Sequence, residues 1–149
     1  MYLQKNDEFI AFSEVCREHK LKKTPQREAI YRELIQMRKS HPTAEKIYRN
    51  VRKRFPHISF DTVNRTLLRY AEIGIVDVIL GIGGPRRFDP AGKTHHHFHC
   101  EKCGQIIDIH NPIYDELDIP EDIVSNYKVN RQTIVLSGLC DRCNQREQK

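Results

Sequence analysis

Residues 94–104, THHHFHCEKCG, hold four histidines and two cysteines. Cys100 and Cys103 form one Cys-x-x-Cys pair, and Cys140 and Cys143 form a second. Each pair can clamp one edge of a tetrahedral ion, and two pairs complete an all-thiolate site of the structural Zn²⁺ type. Gly104 suits the tight turn that follows such a clamp. The 36 residues between the pairs leave room for one strand-helix-strand unit. A redox dithiol and unrelated thiols are the competing readings, and paired motifs of this kind in a reducing compartment are more often metal sites. A four-cysteine site is closed, so it holds the fold and does no chemistry. Cys16 is left over, and on an apolar helix face it reads as a core residue.

The histidines point to a second ion. On a strand the side chains alternate, so His95, His97 and His99 share one face and His96 points away. Two or three imidazoles on one face make a good partial ligand set.

These residues need elements to hold them. Residues 1–88 carry 18 Lys/Arg against 10 Asp/Glu, and residues 89–149 carry 7 against 10. A basic half and an acidic, metal-ligand-rich half suggest a nucleic-acid-binding part joined to a metal-binding part, with chance segregation of surface charge as the alternative. Apolar residues Phe9, Ile10, Phe12, Val15 and Cys16 recur at helical spacing over Asp7–Lys20. Thr24-Pro25 reads as an N-cap with proline at the first helical position, opening a helix to about Lys39. Thr43 caps a helix that Pro56 ends. Ser59 caps another, with Val63, Leu67, Tyr70 and Ala71 inward and Gly74 as its stop. On the opposite face of that helix lie Asp61, Arg65 and Arg69, flanked by Thr62 and Asn64.

Two short helices joined by a tight turn predict a helix-turn-helix. IVDVILGIGGPRRFD then reads as two strands around a glycine-rich turn, the wing of a winged helix, with Arg86 and Arg87 placed for phosphate. An ordinary helical domain with solvated charges is the plainer alternative. Beyond the wing, HFHC, QIIDIH and NYKVNRQTIVLSGLC read as strands, and Pro120 breaks the helix between them. The expectation is an α+β protein. A winged helix-turn-helix DNA-binding domain spans residues 1–88 and a linker spans 89–94. A small α/β dimerisation and metal-binding domain spans 95–149, its sheet pairing across a two-fold axis. No apolar run approaches the roughly 18 residues of a membrane span. MYLQKNDEFIAF lacks the apolar core of a signal peptide, so a soluble cytoplasmic protein is expected.

LKKTPQREAIYREL, SHPTAEKIY, SFDTVNRTLLRYAEIGIV, RRFDP, HHHFHCEKCGQIIDI and CDRC together resemble, in order and spacing, the ferric uptake regulator (Fur) family. The likeness covers about Leu21 to Cys143. It implies a homodimeric, metal-responsive repressor, not an enzyme, that binds a palindromic double-stranded DNA operator. Carried over, the regulatory site falls on His41, Asp89, His95, His97 and Asp108, and the structural Zn²⁺ on Cys100, Cys103, Cys140 and Cys143. Three imidazoles and two carboxylates suit Fe²⁺ or Mn²⁺ better than Zn²⁺. Drawn from both halves, they would let an ion fix the angle between them and so the spacing of two recognition helices.

Asp89 and the run RRFDP…HHHFHCEKCG resemble the peroxide-sensing (PerR) branch, in which bound Fe²⁺ reacts with H₂O₂ and a histidine ligand is oxidised; the positions here are His41 and His95. The iron-uptake branch typically has Glu at 89 and remains the alternative. The zinc-uptake branch typically uses a cysteine on the DNA side, and none lies between Cys16 and Cys100. A metal-dependent hydrolase is the alternative of another class, with no general base or nucleophile motif beside the ligands. A further site seen in some family members would fall on Thr94, His96, Asp115 and Gln132, of which Thr94 and Gln132 are poor ligands. Asn64 stands where the family commonly has Tyr; it can hydrogen-bond a base edge but cannot meet a thymine methyl as an aromatic does. Arg65 and Thr62 join it as candidate DNA contacts, and Lys22, Lys23 and Arg69 as phosphate contacts.

Overall fold

The computed structural model describes residues 5–79, 83–92 and 95–147, with side chains from Ile10 onward in the first helix. The Phe9 side chain, the centre of the wing turn and Thr94 lie outside the described residues. The chain divides into two compact units, Met1–Ala91 and Gly92–Lys149.

Four helices build the first unit: α1 Lys5–Glu18, α2 Pro25–Met37, α3 Ala44–Arg54 and α4 Phe60–Glu72, with a 3₁₀ turn Arg38–Ser40 after α2. Three starts are capped as the sequence predicts. Thr24, Thr43 and Ser59 accept from the backbone N–H of Arg27, Lys46 and Thr62 in turn. Each satisfies a donor that has no partner within the helix, worth about 1 kcal/mol. Gly74 closes α4 with φ +77°, a backbone that costs other L-residues about 1–2 kcal/mol. The inward stripes of α2, α3 and α4 meet in one core that includes Ile30, Leu34, Ile47, Val63, Leu67 and Tyr70, all fully buried. Phe12 of α1 stacks on Tyr31 with ring centroids 4.1 Å apart, and both meet Tyr70 edge-on. Two antiparallel strands follow, β1 Val76–Ile79 and β2 Arg87–Pro90. Phe88 of β2 is buried in the same core. Asp89 and Pro90, read from sequence as the start of a linker, are strand residues here.

The second unit holds a three-stranded mixed sheet in the order β4-β3-β5. Its strands are β3 His96–Cys100, β4 Ile106–Ile109 and β5 Val135–Gly138, with β3 antiparallel to β4 and parallel to β5. Short helices α5 Pro112–Asp115 and α6 Glu121–Asn126 stand between β4 and β5, and α7 Asp141–Glu147 follows. Pro120 separates α5 from α6, as a residue without an amide donor should. The third predicted strand is much shorter than its apolar run, and Lys128–Ile134 is irregular. A parallel neighbour must cross the sheet before it can pair, so most of that segment is spent on the crossing.

Candidate metal centres

The sulfur cluster sits where β3 ends, at the turn after it and at the start of α7. Cys100 is the last residue of β3, and Gly104, at φ +69°, lets the chain reverse after Cys103. Glu101 N–H donates to Gly138 O at 2.8 Å, which keeps the ends of β3 and β5 level. Cys140 follows β5, and Cys143 lies in the first turn of α7, a helix that the spacing alone did not suggest. Lys102 bonds Glu147 at 2.9 Å and Arg142 donates to Gln105 at 2.8 Å, so the two clamps are tied together outside the sulfurs.

All four Sγ atoms lie within 4.8 Å of one another, and Cys103 Sγ is 3.8 Å from Cys140 Sγ. Two thiolates about 2.3 Å from one ion at the tetrahedral angle stand about 3.8 Å apart, so the cluster has the dimensions of a four-thiolate site. No disulfide links them. Backbone N–H groups of Cys103 and Cys140 point at Cys100 and hold its thiol down at about 6; the Cys140 donor is 3.3 Å away. Burial, with hydrogen bonds from the neighbouring thiols, pushes Cys143 up to about 12. Four thiols in so small a space cannot ionise together without a cation, and an ion that takes all four as thiolates removes that conflict. Cys16 stands apart in the core of the first unit, its thiol raised by burial.

Of the sequence-predicted histidine and carboxylate ligands, His41 and Asp89 belong to the first unit. Phe88 N–H donates to Pro42 O at 3.0 Å, and Thr43 pairs with Arg87 in an isolated antiparallel bridge. This register places His41 opposite Asp89, and each offers a ligand atom within 4.8 Å of the other. His41 closes the 3₁₀ turn with φ +46°, ψ +71°. The left-handed region is costly for a side chain with a Cβ, about 1–3 kcal/mol, and the proline that follows also disfavours the right-handed helical alternative. Both residues are buried, at 1% and 6% exposure. Asp77 lies directly across β1–β2 from Asp89, and like charges in that position favour a cation nearby.

His95, His97 and Asp108 belong to the second unit. Asp108 of β4 is the cross-strand partner of His97, and His95, two residues before His97, reaches the same carboxylate. His95 Nε2 and His97 Nε2 lie 3.5 and 3.7 Å from Asp108 Oδ1. These distances exceed a good hydrogen bond and match neighbouring donors around one ion of about 2.1 Å bond length. The two imidazole rings meet edge-on at 4.7 Å. His110 lies against His95 at 5.5 Å, a neighbour the strand alternation did not single out. His99, expected on the same face, is outside this cluster and pairs with Ile106.

His96 points the other way and is fully buried. Its Nδ1 accepts from Ile134 N–H at 3.1 Å, which puts the ring proton on Nε2, and Nε2 donates to Asp115 at 3.0 Å. Asn111 caps α5 and thereby presents Asp115. Gln132 donates its amide to Leu117 O. His96 and Asp115 thus form a structural pair tying β3 to α5.

The candidate DNA-contacting residues are all in the first unit. Thr62 is exposed in the first turn of α4, its hydroxyl shared with Ser59 at 2.9 Å. Asn64 is half-buried, and Arg65 is exposed beside Asp61 at 3.7 Å. Arg69 bonds Glu72 at 2.9 Å. Lys22 is exposed, and Lys23 donates to Ser13 at 3.0 Å. Arg86 is exposed, but Arg87, read from sequence as a second phosphate contact, is half-buried and donates Nη1 to His41 O at 3.3 Å.

Helix-turn-helix, two-stranded wing and cysteine-clamped mixed sheet define a winged-helix protein with a second unit that carries a four-cysteine cluster. The profile of the ferric uptake regulator family matches residues 18–137. The peroxide-responsive repressor PerR of Staphylococcus epidermidis is 38% identical over 122 residues, covering 82% of this chain and 81% of that protein. The peroxide operon regulator of Bacillus subtilis is 34% identical over 134 residues, covering 90% and 92%. The ferric uptake regulator Fur of Helicobacter pylori shares the fold, with a TM-score of 0.76 over 95% of both chains at 21% identity. The chain belongs to the ferric uptake regulator family.

Proposed function

We propose that this protein is a metal-dependent, DNA-binding transcriptional repressor that senses peroxide. The observation that carries the reading is a pair of incomplete ligand sets. His41 and Asp89 lie within ligand–ligand distance in one unit, and His95, His97 and Asp108 do so in the other. Two donors make a weak site and three an open one; five from one chain complete a mixed nitrogen and oxygen shell for Fe²⁺ or Mn²⁺. Closing that shell draws the winged helix into a fixed angle with the second unit, and metal and DNA then strengthen one another reciprocally. The four cysteines hold a structural Zn²⁺. Fe²⁺ held there would supply the chemistry that splits H₂O₂: one oxygen would be added to the imidazole of His41 or His95, the other would leave as water, and the oxidised ligand would open the shell. The relatives named for peroxide response support this branch over iron uptake.

A second copy of the chain completes the repressor. Ile113, Leu117, Val124 and Tyr127 are exposed apolar side chains on the second unit, and a partner subunit would cover them. The basic first unit, with α4 in the major groove and Arg86 at the backbone, binds each half of a palindromic operator.

The test is to load the protein with Fe²⁺, add one equivalent of H₂O₂, and follow operator binding and peptide masses together. The expected result is one added oxygen on His41 or His95 and loss of DNA, with neither change in the Mn²⁺ form. Unmodified protein that keeps its DNA would remove the peroxide reading and leave an iron-responsive repressor.

A further inference from the structure

Arg87 has no part in the ligand set, and its position in the sequence suggests a phosphate contact. Its geometry gives it different work. The side chain turns inward from β2, is half-buried, and donates Nη1 to the carbonyl of His41 at 3.3 Å. That carbonyl belongs to a residue in the left-handed region. The bonds that hold the peptide there include His41 N–H to Arg38 O at 3.1 Å, Phe88 N–H to Pro42 O at 3.0 Å, and the Arg87 guanidinium. The last of these comes from a side chain. Arg87 also lies two residues before Asp89, so both project from the same face of β2 and flank His41.

We infer that Arg87 is a positioning residue for the sensing half-site: it fixes the His41 backbone so that the imidazole faces Asp89, and it makes the wing strand and that half-site one rigid piece. The inference rests on the metal-dependent reading above. A guanidinium is suited to this because its planar fork keeps its direction, whereas a lysine ammonium is a point charge on a flexible stem. Partners that orient metal ligands typically change metal affinity by about 10–100-fold when removed.

The experiment uses the full zinc-loaded protein and its Arg87→Gln and Arg87→Lys variants. Mn²⁺ affinity is measured by competition with a fluorescent chelator. Operator binding is then measured at saturating Mn²⁺ over a range of salt. Weaker Mn²⁺ binding by about 10–100-fold in both variants, with an unchanged salt slope, is the expected result. A phosphate contact gives the opposite pattern: Mn²⁺ affinity within twofold of wild type and, for Arg87→Gln, a salt slope smaller by about one. That pattern overturns the inference. Should Arg87→Gln lower the melting temperature of the first unit, Arg87→Lys decides, since it keeps the charge and the aliphatic stem. Wild-type protein that binds Mn²⁺ but never DNA would refute the repressor reading and leave the Arg87 comparison valid.

Discussion

If the four cysteines hold Zn²⁺, as proposed, removing it should unfold the second unit and leave the first intact. The two units differ sharply in what holds them. The first buries a continuous apolar core contributed by all four helices and the wing, including Ile30, Leu34, Ile47, Leu67, Tyr70 and Phe88. In the second, the buried cluster among the described residues is Cys100, Cys140 and Cys143, with Phe98 and Leu139 only partly buried against it. A structural Zn²⁺ contributes about 10–16 kcal/mol to a small domain at neutral pH. A whole domain is typically stable by only about 5–15 kcal/mol. The loss is therefore of the same size as the entire margin. The assay is hydrogen exchange by mass spectrometry before and after treatment with a strong chelator and a thiol reductant. The amides of His97, Cys100 and Glu101, which bond Ile134 O, Gln105 O and Gly138 O, should lose protection. Amides within α2 and α4 should keep theirs. Equal protection of β3 in protein shown to be free of zinc would refute the reasoning, because some other interaction would then be holding the sheet.

Two further outcomes concern the first unit. Tyr70 is fully buried and donates its hydroxyl to Arg27 O at 2.9 Å; burial raises its phenol well above the ordinary value. The unfolded chain therefore loses this proton first. Its contribution to stability should be complete below about pH 10 and decline at higher pH, and Tyr70→Phe should flatten that decline in melting experiments. Gly74→Ala meets no atom within 4 Å of the added Cβ, so the φ of +77° alone sets its cost. About 1–2 kcal/mol is expected, a melting temperature lower by roughly 4–16 °C; an unchanged midpoint would mean that the turn relaxes freely.

Much of this architecture could be read from residue types. Thr24-Pro25, Thr43 and Ser59 mark helix starts because few residues other than Ser, Thr, Asp and Asn place an acceptor over the first turn. The cysteine pairs were legible because tetrahedral thiolate chemistry tolerates few spacings. The alternation of His95, His96 and His97 followed from strand geometry alone. Other features depended on distant partners. The length of β5 is set by a parallel crossing, which leaves no local trace. His99 has the right parity for the histidine cluster but sits nearer the sulfur end of β3, opposite Ile106 rather than Asp108. Arg87 looked like a phosphate ligand because a charged residue beside a glycine-rich turn usually faces solvent. The bridge from Thr43 and the Phe88 N–H bond to Pro42 O show that the segment from His41 runs alongside it.

One strand, β3, carries His97 near its start and Cys100 at its end. The consequence is an order of loading. His95 and His97 cannot be presented until β3 has paired with β4 and β5, and on the prediction above that pairing would depend on an ion at the strand's far end. If the four cysteines hold zinc and the histidine cluster senses iron or manganese, as proposed, a newly made chain would have to acquire zinc before it could respond to the other metal. Molecules synthesised during zinc scarcity would be silent as sensors however much iron surrounded them. A shortage of one nutrient metal would thus be felt as deafness to another.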